Sequence, residues 1–181
     1  GRVFQRFDAS SGQQDNGHRG IQTQYNACGY ASAVVDVRHN NGDPISVYQR
    51  ITAMDARGNI VGAKQGKGLI NTQKHYNYAT GLLEQINSTH YFGDNLQDLH
   101  YQWDNLGNLE TRSEYSGSKN LQESFYYDGL NRLEVADSGD QQQTVHYDLL
   151  GNITYKSDVG SYSYAGNGAG PHAVTQAGDT R

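Results

Sequence analysis

Residues 146–153 read HYDLLGNI, and the same phrase recurs along the chain. It returns as WDNLGNL from Trp103, as MDARGNI from Met54 and, with one change, as YDGLNRL from Tyr127. Each copy has a large side chain before an aspartate, a glycine or asparagine three residues after it, and an aliphatic residue two further on. Self-similarity at a fixed spacing is typical of supersecondary units that stack on one another. This repeat decides which fold to expect.

Seven copies can be aligned, and they begin on average about 23 residues apart, which is in the range of stacked repeat units. The copies occupy residues 7–12, 25–31, 54–60, 76–82, 103–109, 127–133 and 147–153. In the copies that begin at Phe7 and Tyr76, the glycine comes one residue later. The residues predicted to build the repeat are Tyr25, Asn26, Gly29, Asp55, Gly58, Tyr76, Asn77, Gly81, Trp103, Asp104, Gly107, Tyr127, Asp128, Asn131, Tyr147, Asp148 and Gly151.

Each position of the motif has a physical role in a tight turn. An Asp or Asn side-chain oxygen accepts a hydrogen bond from a backbone N–H two residues on, which closes the turn. Glycine supplies a positive φ that a residue with a Cβ resists, and asparagine, as at Asn131, tolerates it. The flanking aromatic and aliphatic residues then belong to the two strands. The motif thus predicts the corner of a β-hairpin.

The segments between the motifs favour strands. Apolar and polar residues alternate over residues 109–115 and 121–127, and Gly, Asp, Ser and Asn clusters bound these runs. No stretch has a convincing helical stripe, and residues 80–86 favour a strand because they follow a motif. We therefore predict an all-β fold of successive antiparallel hairpins, which form one curved or spiralling sheet across residues 1–181.

The composition excludes some classes of function. With 14 Lys and Arg against 19 Asp and Glu, the chain has no basic stripe for nucleic acid or an anionic membrane. No apolar run is long enough to span a bilayer. Hydrophobic residues make up only 35%, but 14 tyrosines suggest an ordered chain with a tyrosine-based core. The single cysteine, Cys28, cannot form an internal disulfide and is predicted to be a half-buried strand residue.

These motifs resemble the RHS/YD-repeat family, whose consensus is Tyr-Asp-x-x-Gly-(Arg/Asn)-(Leu/Ile). The terminal segment, residues 169–181, contains AGPHAVTQAGDT and is similar to the family's stretch before the RHS-associated core. The opening GRVFQRFDAS is similar to the tail of another motif, so the chain is expected to be part of a longer protein. The resemblance covers essentially the whole chain.

The resemblance implies a structural role. In bacterial relatives, including the shells of insecticidal toxin complexes, YD repeats wind as a β-sheet around a hollow that encloses a toxic polypeptide. The implied partners are neighbouring repeats and an encapsulated toxin domain, in a secreted or cell-surface bacterial protein. The chain is expected to form an open arc of such a shell, to have no enzymatic activity and to need no cofactor. The family's self-cleaving core is not among residues 1–181, and Asp43-Pro44 is interpreted as a loop corner.

Other functions were weighed against this one. The recurrent aspartates are interpreted as turn caps and not as paired catalytic acids, because they occupy equivalent corners. The seven histidines are scattered, so no metal site is predicted. GKGLIN at 66–71 is interpreted as a turn in a long loop and not as a phosphate-binding loop. The main alternative is a carbohydrate- or cell-surface-binding module with exposed aromatic residues, in which Trp103 is the candidate glycan contact.

Overall fold

The structure, a computed structural model, describes residues 4–7, 19–38 and 44–179, and these residues are almost entirely β-structure. Two short 3-10 turns, Gly66–Gly68 and Gly166–Gly168, are the only helical elements among them. The strands are β1 Gln5–Phe7, β2 Arg19–Tyr25, β3 Ala31–Arg38, β4 Pro44–Met54, β5 Ile60–Gln65, β6 Ile70–Tyr76, β7 Leu83–His90, β8 Asn95–Trp103, β9 Leu109–Glu114, β10 Leu121–Tyr127, β11 Leu133–Asp137, β12 Gln142–Tyr147, β13 Ile153–Lys156, β14 Gly160–Tyr164 and β15 Val174–Ala177.

Strand order follows chain order from β1 to β15, so each strand lies beside the strands that precede and follow it in the sequence. The pairs are antiparallel hairpins, as in β10 with β11 and β12 with β13. The predicted all-β fold of successive hairpins is therefore confirmed. No helix among the described residues is long and apolar enough to cross a membrane.

The chain forms two compact units. Unit 1 consists of Gly1–Leu99 with Tyr115–Ser118, and unit 2 consists of His100–Glu114 with Lys119–Arg181. In an antiparallel meander, every second turn lies at the same end of the strands. In unit 1 the corners after β2, β4 and β6 therefore lie at one end, and in unit 2 the corners after β8, β10, β12 and β14 do. We call each of these rows of corners the motif rim of its unit.

The apolar core is thin. Among the described residues, only Ala33, Val35, Ala63 and Val145 are buried hydrophobics. Val35 is 1% exposed and packs with Ala33 and the partly buried Val47. The motif tyrosines are half-buried and not enclosed. Since few apolar side chains are fully buried, side-chain hydrogen bonds are expected to contribute to the stability of the sheet.

Four local predictions can be compared with the strands. Residues 80–86 lead into strand β7, as expected, and form no helix. The prediction of a long loop around GKGLIN was wrong: Gly66–Gly68 is a tight turn between β5 and β6, because Lys67 adopts φ 61°. Cys28 was predicted in a strand, but it is exposed at the tip of the first described corner. Asp43 lies outside the described residues, and Pro44 opens β4.

Candidate functional site

The corner that follows β12 shows how the motif builds a turn. The Asp148 N–H donates to the Asn152 carbonyl over 2.9 Å, and the Gly151 N–H donates to the Asp148 carbonyl over 3.2 Å. Oδ1 of Asp148 accepts from the N–H groups of Leu150 and Asn152, at 2.8 and 2.9 Å. Its Oδ2 accepts from Nδ2 of Asn152 at 2.9 Å. One carboxylate thus satisfies three donors of a three-residue loop, with glycine in the left-handed conformation.

The same pattern recurs in the other aspartate corners. In each, Oδ1 accepts from the N–H groups two and four residues on, and Oδ2 accepts from the side chain four residues on. These corners are built on Asp55, Asp104 and Asp128. Asn131 takes the left-handed position of its corner with φ 60°, where the other corners have glycine at positive φ. The motif residues thus occupy equivalent places in successive hairpins.

The two asparagine corners differ in ways that follow from their sequences. In the Asn26 corner, Oδ1 accepts from the Tyr30 N–H at 2.9 Å. The Asn77 corner is one residue longer, because its N–H pairs with the Leu82 carbonyl and the Gly81 N–H pairs with the Asn77 carbonyl, both at 2.8 Å. The later glycine of this copy therefore corresponds to a four-residue loop. Of the first copy, only Phe7 is described; Asp8 and Gly12 lie outside the described residues.

The aromatic position of the motif forms a second ladder in unit 2. In three successive repeats, the tyrosine hydroxyl donates to the carbonyl of the first strand residue after the preceding corner. These bonds run from Tyr127 to Leu109 at 3.0 Å, from Tyr147 to Leu133 at 2.8 Å and from Tyr164 to Ile153 at 2.8 Å. Tyr164 comes from the terminal repeat, which was not among the predicted structural residues. Burial raises the pKa of Tyr127, which is consistent with a half-enclosed phenol.

The hydroxyl ladder can be tested with Tyr147→Phe, which removes one hydrogen bond and leaves the ring. We expect a loss of about 1 kcal/mol, the usual net contribution of a neutral hydrogen bond. For a chain of this length, that corresponds to a fall of about 2–4 °C in Tm. Tyr155→Phe is the matched control, because Tyr155 is exposed and stacks on His146 through its ring. Equal Tm values for the two variants would contradict the ladder.

The residue after the motif glycine links neighbouring corners. Nδ2 of Asn108 donates to Oδ1 of Asn131 at 3.0 Å. Arg132 is paired with Asp128 in its own corner, and its Nη1 donates to the Asp148 carbonyl at 3.1 Å. The guanidinium also lies 4.6 Å from the centre of the Tyr147 ring. Each corner is thereby hydrogen-bonded to the next along the rim of unit 2.

The terminal segment joins the same series. Nδ2 of Asn152 donates to the Pro171 carbonyl at 3.3 Å, and Nδ1 of His172 lies 2.6 Å from Oδ1 of Asn152. In unit 1 the link comes from another position: Nη2 of Arg57, the residue before the motif glycine, donates to the Tyr78 carbonyl at 2.7 Å and joins the corners after β4 and β6. The sequence interpretation had assigned no role to the position after the glycine. Asn or Arg recurs at this position, and that recurrence was the available signal of a structural role.

Sequence reasoning also missed one corner. In the turn after β7, the His90 N–H pairs with the Asp94 carbonyl and the Gly93 N–H pairs with the His90 carbonyl, both at 2.8 Å. This is the motif's loop with histidine in place of aspartate, and Nδ1 of His90 lies 3.4 Å from the Phe92 N–H. Strand parity places it at the end of unit 1 opposite the motif rim. A glycine three residues after His90 was the available signal.

The corner carboxylates are held in their charged form. The pKa of each is lowered from the ordinary value of 3.8, mainly by the side-chain donor four residues on and then by backbone N–H groups. In the Asp128 corner that donor is Arg132. The shift favours the ionised turn, so its contribution to stability is present above the unfolded pKa and is lost as the pH falls through the folded one.

We therefore expect a Tm that is steady between pH 7 and roughly pH 5 and that falls below roughly pH 4, where carboxylates gain protons. Thermal melts across this range measure it. The control is a variant with Asp55→Asn, Asp104→Asn, Asp128→Asn and Asp148→Asn, which should show a shallower acid fall. Asp158, whose pKa Lys156 lowers, would account for part of the remaining slope. An acid fall as steep as that of the wild type would contradict the assignment.

The corner acids are engaged in their turns. Each carboxylate makes its hydrogen bonds to groups of its own corner, whereas paired catalytic acids face a shared substrate. Among the described residues, no three His, Cys, Asp or Glu side chains are grouped to hold a metal ion. Trp103 is half-buried and stacks on Tyr101 at 6.5 Å between ring centres. The geometry provides a repeated, hydrogen-bonded turn that is linked to the neighbouring turns.

The comparisons with known proteins agree with this fold. No model of a known protein family matches the sequence, and no curated protein matches it significantly. Among solved structures, the chain is similar to the Photorhabdus luminescens Tc holotoxin pore, with TM-score 0.67 and 17% identity over 86% of this chain and 8% of that one. It is also similar to TcdB2–TccC3–Cdc42, with TM-score 0.65 and 18% identity over 77% of this chain and 8% of that one.

A third similar structure is TcdB2–TccC3, with TM-score 0.64 and 18% identity over 84% of this chain and 9% of that one. The chain thus spans less than a tenth of the length of the structures it matches. The resemblance to YD-repeat proteins of toxin complexes is confirmed at the level of the fold.

Proposed function

We propose that this chain is a structural, non-enzymatic stretch of the repeat wall of a larger YD-repeat protein. The observation that carries the proposal is the series of side-chain bonds between successive corners, which run from Asn108 to Asn131, from Arg132 to Asp148 and from Asn152 to Pro171. A wall needs its units to hold their neighbours in register, and these bonds do so beyond the backbone pairing of the strands.

The chemistry of the corners supports a mechanical role. The carboxylate oxygens of the recurrent aspartates accept hydrogen bonds from donors in their own turns. They are therefore poorly placed to exchange a proton with a substrate. The sheet's backbone groups pair strand to strand, which forms a continuous barrier of hydrogen-bonded peptide. The open edge strands β1 and β15 would pair with neighbouring repeats in the parent protein.

The partners that we propose are neighbouring repeats of the same protein and an encapsulated toxin or effector domain. The fold shared with TcdB2–TccC3 and with the Tc holotoxin pore supports this choice. A toxin shell of this kind acts outside the cell that makes it, so we propose a secreted or cell-surface location in a larger bacterial protein.

Limited proteolysis of that parent protein tests the proposal. A domain enclosed by the wall should survive protease doses that degrade the same domain when it is expressed alone. Asp128→Ala, which weakens a corner and its link to the next one, should make the enclosed domain more sensitive. Cleavage of the enclosed domain at the rate of the free domain would contradict the role of a wall.

Carbohydrate or cell-surface binding is the second candidate function. A groove of about 580 Å³ in unit 1 lies beside the exposed ring of Tyr78 and is lined by Thr52, Gln73 and His75. An exposed aromatic ring beside amide and hydroxyl groups suits a sugar ring. A glycan array would separate the candidates: saturable binding that is abolished by Tyr78→Ala or Trp103→Ala favours the binding module. The wall proposal predicts no such binding.

A further inference from the structure

The motif rim of unit 2 carries an uninterrupted series of exposed leucines. Two residues after the motif aspartate, three successive corners have leucine, and the last of these corners has a second one. Their exposed fractions are 75% for Leu106, 70% for Leu130, 103% for Leu149 and 67% for Leu150. The corresponding positions in the first two described corners of unit 1 are Cys28 and Arg57. We call these four residues the leucine row.

Turn chemistry does not explain the leucine row. The middle positions of such a turn accept most side chains and favour small polar ones. A leucine side chain at the tip can make no hydrogen bond, and here it lies in water. Large apolar side chains that recur at one position and share one surface indicate a contact surface.

The four side chains lie in one row along the rim. The hydrogen bonds from Asn108 to Asn131 and from Arg132 to Asp148 show that successive corners touch. Two strands separate neighbouring corners, so the leucines repeat roughly every 10 Å. Together they expose roughly 500 Å² of apolar surface, as large as the largest patch on a typical monomer.

The loop tips that carry the row contain no charged side chain, and the nearby guanidinium of Arg132 is paired with Asp128. The carboxylates of Asp104, Asp128 and Asp148 turn inward to their own loops, and Asn105 and Gly129 complete the tips. A surface that is apolar, neutral and periodic fits best against a surface with the same period. A second identical rim provides this, because its leucines can enter the spaces between the first set.

We propose that two copies of this chain associate through their leucine rows, rim to rim, around a two-fold axis near Leu130. Each row is then its own partner, as a two-fold interface requires. The two rows would bury about 1,000 Å² in total, which corresponds to a weak and reversible dimer. This contact uses the ends of the strands of unit 2 and not the backbone groups of an edge strand such as β15, so it does not depend on the proposed wall.

Sedimentation velocity on the 181-residue chain over a concentration series tests the proposal. The wild-type chain should pass from monomer to dimer as its concentration rises. The triple variant Leu106→Ser, Leu130→Ser and Leu150→Ser should remain monomeric over the same range, with the wild-type circular dichroism spectrum and Tm. The matched control is Leu121→Ser, since Leu121 is exposed at the other end of β10; it should dimerise as the wild type does.

Crosslinking gives a second readout that does not depend on removing apolar surface. In a Cys28→Ser background, Leu130→Cys should give a covalent dimer with a short bismaleimide, whereas Leu121→Cys should not. A wild-type chain that stays monomeric at every concentration would overturn the proposal. A triple variant that dimerises as well as the wild type would also overturn it, since association would then run through the edge strands.

Discussion

Replacing Gly151 with valine is expected to lower the free energy of unfolding by about 2 kcal/mol, the range for a β-branched residue held at positive φ. Gly151 has φ 87°, and a Cβ at this position would meet no atom within 4 Å. The destabilisation therefore comes from the backbone conformation and not from a clash. It corresponds to a fall of about 4–8 °C in Tm for a chain of this size. Thermal and urea unfolding measure it.

Gly151→Asn is the control for this prediction. Asn131 occupies the equivalent place in the preceding corner with φ 60°, so asparagine is tolerated by this loop. We expect the asparagine variant to lose well under half of what the valine variant loses, because asparagine populates the left-handed region far more readily. A valine variant with the wild-type Tm would show that this corner can form without a left-handed residue.

Asp128→Ala is expected to lower Tm by roughly 5 °C, because it removes several linked hydrogen bonds at once. The N–H groups of Leu130 and Arg132 lose their acceptor, at present 2.8 and 2.9 Å away. Arg132 also loses the carboxylate that holds its guanidinium in place. That side chain reaches the Asp148 carbonyl in the next corner, so the loss extends across two hairpins.

Two controls separate the parts of this effect. Asp128→Asn keeps the oxygen that accepts the two N–H groups and removes only the charge that pairs with Arg132, so its Tm should fall about half as far. Asp140→Ala changes an exposed aspartate in the turn between β11 and β12 and should leave Tm almost unchanged. If Asp128→Ala were as mild as Asp140→Ala, the motif aspartate would not be capping its turn.

The local chemistry of the corners was predictable because it is short in range. Every hydrogen bond of the Asp148 carboxylate goes to a residue within four positions of it, so the spacing of Asp, Gly and the following residue specifies the loop. Gly81 comes four residues after Asn77 and not three, which corresponds to the longer loop of this corner. Alternation between the motifs was enough to place the strands, since period-two patterning needs no knowledge of the partner strand.

Other features were missed or misplaced, for different reasons. The turn at Gly66–Gly68 was taken for part of a long loop, because β5 and β6 pair through residues that have no strong apolar alternation. The His90 corner lacks the aspartate that marks the motif elsewhere. Cys28 was assigned to a strand, although its place between Asn26 and Gly29 puts it at a loop tip.

By itself, the sequence determined the hairpin, its turn chemistry and the order of its copies, because the interacting groups lie within a few residues of each other along the chain. Only the tertiary structure decided which corners touch. The bond from Arg132 to Asp148 and that from Tyr147 to Leu133 join residues 16 and 14 positions apart. Residues so far apart in the sequence come within hydrogen-bond distance only when the two strands between the corners pair and bring every second turn to the same end. The same pairing brings Leu106, Leu130 and Leu150 into one row at that end of the strands.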